Sequence, residues 1–530
     1  MSDTAQTTAP AAPHFPPPPV VTARRVIAFI GMVFGMFMAI LDIQIVSASL
    51  SEIQAGLSAS ADEISWVQTA YLIAEVVMIP LSGLLGRLLS TRILFAVSAA
   101  GFTLMSIMCA QSGSIEEMII WRALQGFIGG GMIPSVFSAA FSIFPRDKQP
   151  IISPIIGLVA TLAPTIGPTV GGYLTDIFSW HWLFYVNVIP GILVTLSAWF
   201  LIDFDKPDFS LWKTFDWTGL AGMASMLGGL EYLLEEGPSK DWFQDDRIVT
   251  AGLFAAAGAL LFFFRTATAK TPIVDLSAFS NRNFAAGCLA SFTIGIGLYG
   301  LTYVYPVFLA RVRGYTSLEI GTTMFLTGVA MFLTAPVAGR LSAKLDPRVM
   351  LGIGIFGFAI GTFLASTLTK DWGFGELVWP QIFRGVSLMF CMVPINNVAL
   401  GTLPLNRLKN ASGLFNLTRN LGGAVGLALI NTILNDRWDL HMQRLRDHVA
   451  WGRDIADQTL SDMTLGMASL GGDAGTAALK QMAGLVRREA LVLALGDVFL
   501  ALTFTFLLML FVLPVIQRAK PAGAGGGGGH

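Results

Sequence analysis

A handful of ionisable side chains interrupt long apolar runs in this sequence: Asp42, Glu75, Arg122, Arg384, Arg419 and Asp497. A charge in hydrocarbon is costly and faces a cavity or a partner. A carboxylate in such a place is relieved by taking up a proton, and carboxylates of this kind mark proton relays. Asp42 and Glu75 are therefore candidate proton acceptors. Arg122 is the cation that could hold Asp42 ionised until some rearrangement separates them. The plainer alternative is that Asp42 and Arg122 pair only to fix helix packing. Glu75 could equally face a bound molecule, headgroup water or a neighbouring helix. Asp497, near the start of the last apolar run, reads as structural.

The elements that carry these residues follow from composition. Of 530 residues, 54% are hydrophobic and 13% charged, with a mean hydropathy of +0.66. Soluble domains carry about 25% charged residues. A chain this long and apolar has the bilayer as its natural solvent. The net charge of −1 gives no electrostatic reason to expect a nucleic-acid partner. The three cysteines, Cys109, Cys288 and Cys391, are widely spaced within apolar runs. They indicate neither a disulfide framework nor a metal site.

A spanning helix needs about 20 mostly apolar residues. Such runs occur at 26–50, 64–84, 93–112, 116–141, 151–176, 182–203, 216–236, 248–268, 284–309, 317–341, 349–369, 376–404, 410–434 and 489–517. The fold expected is thus all-α, a polytopic membrane protein with fourteen transmembrane helices. The run 216–236 is the least apolar, since Glu231, Glu235 and Glu236 crowd its end. With the N-terminus inside, the short inner loops and tails hold 18 Lys and Arg against five in the short outer loops. That bias puts both termini in the cytoplasm. At 1.5 Å rise per residue, Asp42 and Arg122 lie roughly 12 Å and roughly 9 Å from the outer ends of their helices. Their depths nearly agree, and Glu75 lies deeper, at roughly 16 Å.

The chain repeats itself. Pro80, Gly83, Leu85 and Arg92 recur as Pro336, Gly339, Leu341 and Arg348, each 256 residues on. Arg122 with Pro134 is echoed by Arg384 with Pro394. Two related six-helix halves are expected, 26–203 and 271–517, with two inserted helices in the linker 204–270. The flanks 1–25 and 518–530 read as a disordered cytoplasmic tail and a disordered Gly-rich tail. Parallel repeats are a transporter architecture, with the site near the midplane between them. Polar side chains within the spans, Gln44, Gln125, Tyr303, Arg384 and Asn396, are candidates to line that cavity. Arg384 reads either as helix-end stabilisation or as the wall of an anionic or water-filled cavity.

Several segments carry a more specific likeness. They are Leu41-Asp42-Ile-Gln-Ile-Val46, Trp66-Val-Gln-Thr-Ala-Tyr71, and Arg122-Ala-Leu-Gln125-Gly126 with Gly129 to Gly131. Ala163-Pro164-Thr-Ile-Gly167-Pro168-Thr-Val-Gly171-Gly172 follows, then Trp180-His-Trp182-Leu-Phe184-Tyr-Val-Asn187, Phe215-Asp216-Trp217, and Pro380-Gln381 with Arg384-Gly385. Together, over roughly residues 25–517, the sequence resembles the major facilitator superfamily, and within it the 14-helix drug:proton antiporters of the EmrB/QacA type. The Pro164–Gly172 stretch resembles that family's fifth-helix antiporter motif. Its proline favours a kink and its glycines let helices approach closely. The sequence departs from the family at Arg87 and Ala343, where an acid usually locks the helix ends by charge pairing. Gly83, Arg87, Arg92, Gly126, Gly339 and Arg348 belong to the conformational motifs that the resemblance implies.

The resemblance implies proton-coupled efflux of lipophilic or cationic small molecules across the inner membrane of a bacterium. The proton motive force is the driver, with no cofactor. An exporter or importer of a specific metabolite or fatty acid on the same fold is the first alternative, because fold does not fix direction. A non-transporting membrane subunit is another, but such proton-translocating subunits carry mid-membrane lysines, and every Lys here lies outside the spans. No nucleotide loop, nucleophile motif or His/Cys cluster suggests an enzyme. The charged segment 435–488 cannot span. It is expected to extend the last two helices outward or form a cap, either as a solvated loop or as the docking point of a periplasmic adaptor protein.

Overall fold

The computed structural model describes residues 21–47, 49–269, 271–404, 407–449, 453–467 and 473–517. The two tails, 1–20 and 518–530, lie outside these, so the expectations made for them are not addressed. Among the described residues are eighteen α-helices: α1 (Ala23–Ser47), α2 (Leu50–Leu57), α3 (Ala61–Leu89), α4 (Thr91–Ala110), α5 (Ile115–Gly129), α6 (Met132–Ile143), α7 (Gln149–Ile177), α8 (Trp182–Tyr185), α9 (Val188–Leu201), α10 (Trp217–Glu236), α11 (Asp246–Thr268), α12 (Arg282–Arg311), α13 (Ser317–Ser342), α14 (Pro347–Ser366), α15 (Phe374–Leu400), α16 (Leu408–His448), α17 (Asp454–Met467) and α18 (Ala474–Met509).

The helices start where the sequence offers caps. Ser60 caps α3, accepting from the Glu63 amide while the Glu63 carboxylate accepts from the Ser60 amide. Thr316 and Glu319 do the same for α13. Such reciprocal capping satisfies two orphan backbone donors. These two boxes are themselves 256 residues apart, so the repeat extends over the whole length of both helices.

Thirteen described helices or helix pairs are long and apolar enough to cross a membrane. The fourteenth expected span, α10, has 20 residues, about 30 Å and enough to cross, but glycines and acids make it less apolar. It lies along α11. Two expected spans are broken. Residues 116–141 form α5 and α6, with Gly130 and Gly131 between them, and 182–203 form α8 and α9, with Val186 and Asn187 between. The last two spans run past their expected ends. α16 has 41 residues and α18 has 36, and α17 packs on α18.

Burial of apolar area does not drive helices together in lipid, because the tails are equally apolar; close approach does. α1 packs on α7 and α9, α3 on α5, and α4 on α5 and α9. α12 packs on α16, and α14 on α15 and α18. The main contacts joining these sets are α7 with α13 and α15, and α16 with α3 and α6. Two glycines show why the spacing is so tight. A Cβ on Gly126 would collide with the Tyr71 carbonyl of α3, and one on Gly171 with the Ile45 carbonyl of α1.

Candidate functional site

Asp42 of α1 and Arg122 of α5 meet, fully buried, with Nη1 donating to Oδ2 at 2.6 Å. Neither charge stands on that bond alone. Arg122 also donates to Gln125 Oε1 at 2.8 Å and to the Val67 carbonyl at 3.2 Å, and lies over the Tyr71 ring at 4.2 Å. The other Asp42 oxygen accepts from Asn187 Nδ2 at 2.7 Å and Gln125 Nε2 at 3.4 Å. Asn187 in turn donates to Ser106 Oγ at 3.1 Å, and Ser106 to the Phe184 carbonyl at 2.9 Å. The break between α8 and α9 places Asn187 here, which an unbroken span would not require. Ile45, Val67, Met118, Leu183 and Phe184 close an apolar shell around the cluster. A buried pair costs more in desolvation than it returns unless further hydrogen bonds satisfy it. Here they do, save for Arg122 Nη2, which has no partner among the described residues.

The second half holds an uncharged counterpart. Arg384 of α15 donates to Thr302 Oγ1 of α12 at 2.6 Å. Thr302 follows Asp42 by 260 residues and Arg384 follows Arg122 by 262, so the second arginine meets a threonine one turn beyond Leu298, the residue 256 positions after Asp42. Arg384 is buried, faces the Tyr305 ring at 5.8 Å, and leaves Nε and Nη1 without a partner among the described residues. Arg419 of α16 donates to Asn416 Oδ1 at 2.5 Å and lies 5.2 Å from the Phe137 ring of α6.

Glu75 lies elsewhere than Asp42. It borders a cavity of about 60 Å³ between α3, α10, α12 and α16, into which α1 contributes Gln44. Of the other residues expected at a cavity, Gln125 belongs to the Asp42 cluster, and Arg384 is held by Thr302. Tyr303 is half-buried and does not border this cavity; Tyr299, one turn earlier, does. Asn396 is buried, with neither side-chain polar atom partnered among the described residues.

The motif residues fall at helix crossings. Pro164 and Pro168 are internal to α7, and a Cβ on Gly167 would strike Gln44 of α1. Gly172 is buried beside Gly171. Gly83 meets the Lys409–Asn410 backbone and Gly339 the Pro150 carbonyl. Arg92 lies 5.5 Å from the Trp199 ring. Arg348, at the start of α14, donates its amide to Asp346. Arg87 borders a cleft with Phe215 and Asp275. Near it, the acid that the motif lacks arrives from another part of the chain. Asp205, after α9, accepts from Lys409 Nζ at 2.5 Å and from the amide and hydroxyl of Thr91 at 2.7 Å each. Lys409 also donates to the Gly86 carbonyl at 2.7 Å. This joins the α3–α4 turn to the start of α16 across the junction of the two helix sets. Asp497 is likewise engaged, with His441 at 2.9 Å and Arg437 at 3.6 Å.

Asn187, Ser106, Thr302 and Asp205 were not among the candidates that the sequence offered. Asn187 stands inside a quoted motif, whereas Thr302 lies one turn past Leu298, the position that the 256-residue repeat gives for Asp42. Asp205 carries no local signal. Among the described residues no cluster of His, Cys, Asp or Glu is arranged to hold a metal ion.

Comparison with known proteins agrees with this architecture. The family model described as Major Facilitator Superfamily matches residues 32–427. The colistin resistance protein EmrB of Acinetobacter baumannii is 41% identical over 93% of this chain and 96% of its own length. The multidrug export protein EmrB of Escherichia coli is 29% identical over 97% and 99%, and the fatty acid resistance protein FarB of Neisseria gonorrhoeae 27% identical over 97% and 99%. Among solved structures, the human organic anion transporter MFSD10 superposes with a TM-score of 0.59 at 12% identity, covering 93% of this chain and 100% of its own. The proton:xylose symporter XylE gives 0.56 at 12%, covering 88% and 95%. Those two show the fold alone. With a buried Asp–Arg cluster on its first and fourth spans, a proline- and glycine-containing fifth span and these relatives along nearly its whole length, the chain belongs to the major facilitator superfamily, in its EmrB-type branch.

Proposed function

We propose that this protein exports lipophilic or cationic small molecules across the bacterial inner membrane in exchange for protons. The observation that carries the reading is the buried Asp42–Arg122 pair. A carboxylate at this depth that loses its proton needs Arg122, and one that gains a proton releases it. Protonation from outside thus loosens α1 from α5 and favours the rearrangement that moves substrate. The proton motive force drives the cycle, with no cofactor. The names of the EmrB relatives, which speak of colistin resistance and multidrug export, support export, and the long apolar helices support a membrane location. The Lys and Arg bias supports cytoplasmic termini.

In this reading, 26–203 and 271–517 rock against each other, with 204–270 as an inserted pair. The Asp205–Lys409 contact closes the cytoplasmic end. The overhanging parts of α16 and α18, with α17, offer exposed apolar residues such as Ile455 (82% exposed) and Leu465 (71%). That supports a periplasmic adaptor protein docking on 435–488.

The test is efflux of a cationic dye into inside-out vesicles, with and without a proton uncoupler. Uncoupler-sensitive accumulation, lost in Asp42→Asn, is expected. Uncoupler-insensitive accumulation would refute proton exchange. Normal coupled transport by Asp42→Asn would remove Asp42 from the coupling step.

A further inference from the structure

The inserted helix α10 would be a bystander if it only bridged two halves. Its position is otherwise. Its C-terminal end and the segment directly after it are fastened to both helices that flank the junction. On the α3 side, Trp66 stacks on Tyr232 at 5.3 Å and Thr69 donates to Glu236 at 3.4 Å. On the α16 side, Trp242 donates to Thr432 at 3.1 Å, and Asn435 to the Pro238 carbonyl at 3.2 Å. Glu231 and Glu235, one helical turn apart, then share a face, and both border the cavity that Glu75 borders from α3. Glu231 and Glu75 are buried.

We propose that Glu231 and Glu235 of the inserted helix join Glu75 in a binding site for the charged end of a lipophilic cation. This rests on the export reading and names the substrate class of its cavity. Three observations carry it. No Lys, Arg or His borders the cavity. Glu75 Oε1 is buried with no hydrogen-bond partner, and among the described residues none of the three carboxylates has an ion-pair partner. The nearby Arg419 gives Nη2 to Asn416 and faces the Phe137 ring, and among the described residues it forms no ion pair with Glu75 although its Nη1 is unpartnered. A buried acid without a counter-ion is a site prepared for one.

The geometry selects among cations. The three carboxylates are too dispersed to hold a metal ion, which demands ligands at about 2.0–2.6 Å. A diffuse organic cation needs no such distances. Leu72, Val76 and Leu427 supply an apolar wall for its body. Gln44 and Gln68 add amides. The volume of about 60 Å³ is far below the roughly 300 Å³ that a drug-sized ligand takes. The cavity is therefore closed in this conformer, and parting α3 from α16 enlarges it.

The experiment is equilibrium binding of tetraphenylphosphonium to the purified full-length protein in detergent, which needs neither a proton gradient nor a direction of transport. Glu231→Gln and Glu235→Gln, isosteric and uncharged, are each expected to weaken binding tenfold or more, about 1.4 kcal/mol. Glu231→Asp retains most of the affinity. Glu236→Gln, on the same helix but turned to Thr69 and Lys240, leaves it unchanged and reports any loss from damage to α10 itself. Wild-type binding that survives both Gln substitutions, or no wild-type binding at all, would overturn the site. Neither result would touch the export reading, which stands or falls on uncoupler-sensitive efflux.

Discussion

Replacing Asp42 by Asn tests whether the buried cluster works by charge. Asp42 accepts from Arg122, Asn187 and Gln125. Asparagine offers one acceptor oxygen in place of two and brings an NH2 group against the amides of Asn187 and Gln125. Arg122 keeps Gln125, the Val67 carbonyl and the Tyr71 ring, but loses its counter-ion at zero exposure. Removing one partner of a buried pair costs about 3–5 kcal/mol. In a thermal unfolding assay in detergent that corresponds to a fall of roughly 3–5 °C for a chain of this length. The double variant Asp42→Asn/Arg122→Gln removes the stranded charge and should recover at least half of the loss. Its transport then separates the two roles. If Asp42 carries the proton, the stable double variant no longer responds to a pH gradient; if the pair only fixes packing, it regains coupled transport. A single variant as stable as wild type, with full coupling, would refute the electrostatic argument.

Three further outcomes are expected. Asn187→Ala removes the 2.7 Å bond to Asp42 and should cost about 1.5–3 kcal/mol of stability, read by the same unfolding assay, with Asn187→Asp worse because it sets two carboxylates together. Asp205→Asn loosens three donors, Lys409 at the start of α16 and the Thr91 amide and hydroxyl at the start of α4, and should shift the equilibrium toward separation of α3 from α16 by about tenfold, about 1.4 kcal/mol, measured by the distance between spin labels at the exposed positions Arg92 and Arg407; unchanged distances would show that this contact is incidental. Gly126→Val drives its side chain into the α3 backbone and should abolish accumulation of folded protein in the membrane, whereas Gly466→Val, which meets nothing nearby, should not.

Most of the helical plan was legible because the bilayer imposes it: about 20 apolar residues per crossing, charge only with a reason. The meeting of Asp42 and Arg122 could be anticipated from depth alone, since equal rise per residue brings them level. What escaped has a common cause. The third and fourth partners of a buried charge, Asn187 and Ser106, are polar but uncharged, and nothing in a single sequence separates them from other polar residues in spans. Asp205 is separated from Lys409 by 204 residues, and only folding joins them. Glu231 and Glu235 were visible, but they read as weakening a span; a neighbour on α3 was needed to show that their face meets Glu75. The repeat shows in Pro80, Gly83, Leu85 and Arg92 and in Arg122 with Pro134, and the capping boxes at Ser60 and Thr316 extend it.

The length of α16 has a mechanical consequence. Its 41 residues make a rod of about 60 Å, while the hydrocarbon layer is about 30 Å thick. Roughly half of it therefore projects as a lever. A rotation of about 15°, the size of known subunit rotations, swings a 30 Å arm by roughly 8 Å at its tip. Movements of side-chain size at the Glu75 cavity are thereby magnified into displacements that a neighbouring protein can feel, so α16 can report on the membrane's far side which way the central cavity is turned.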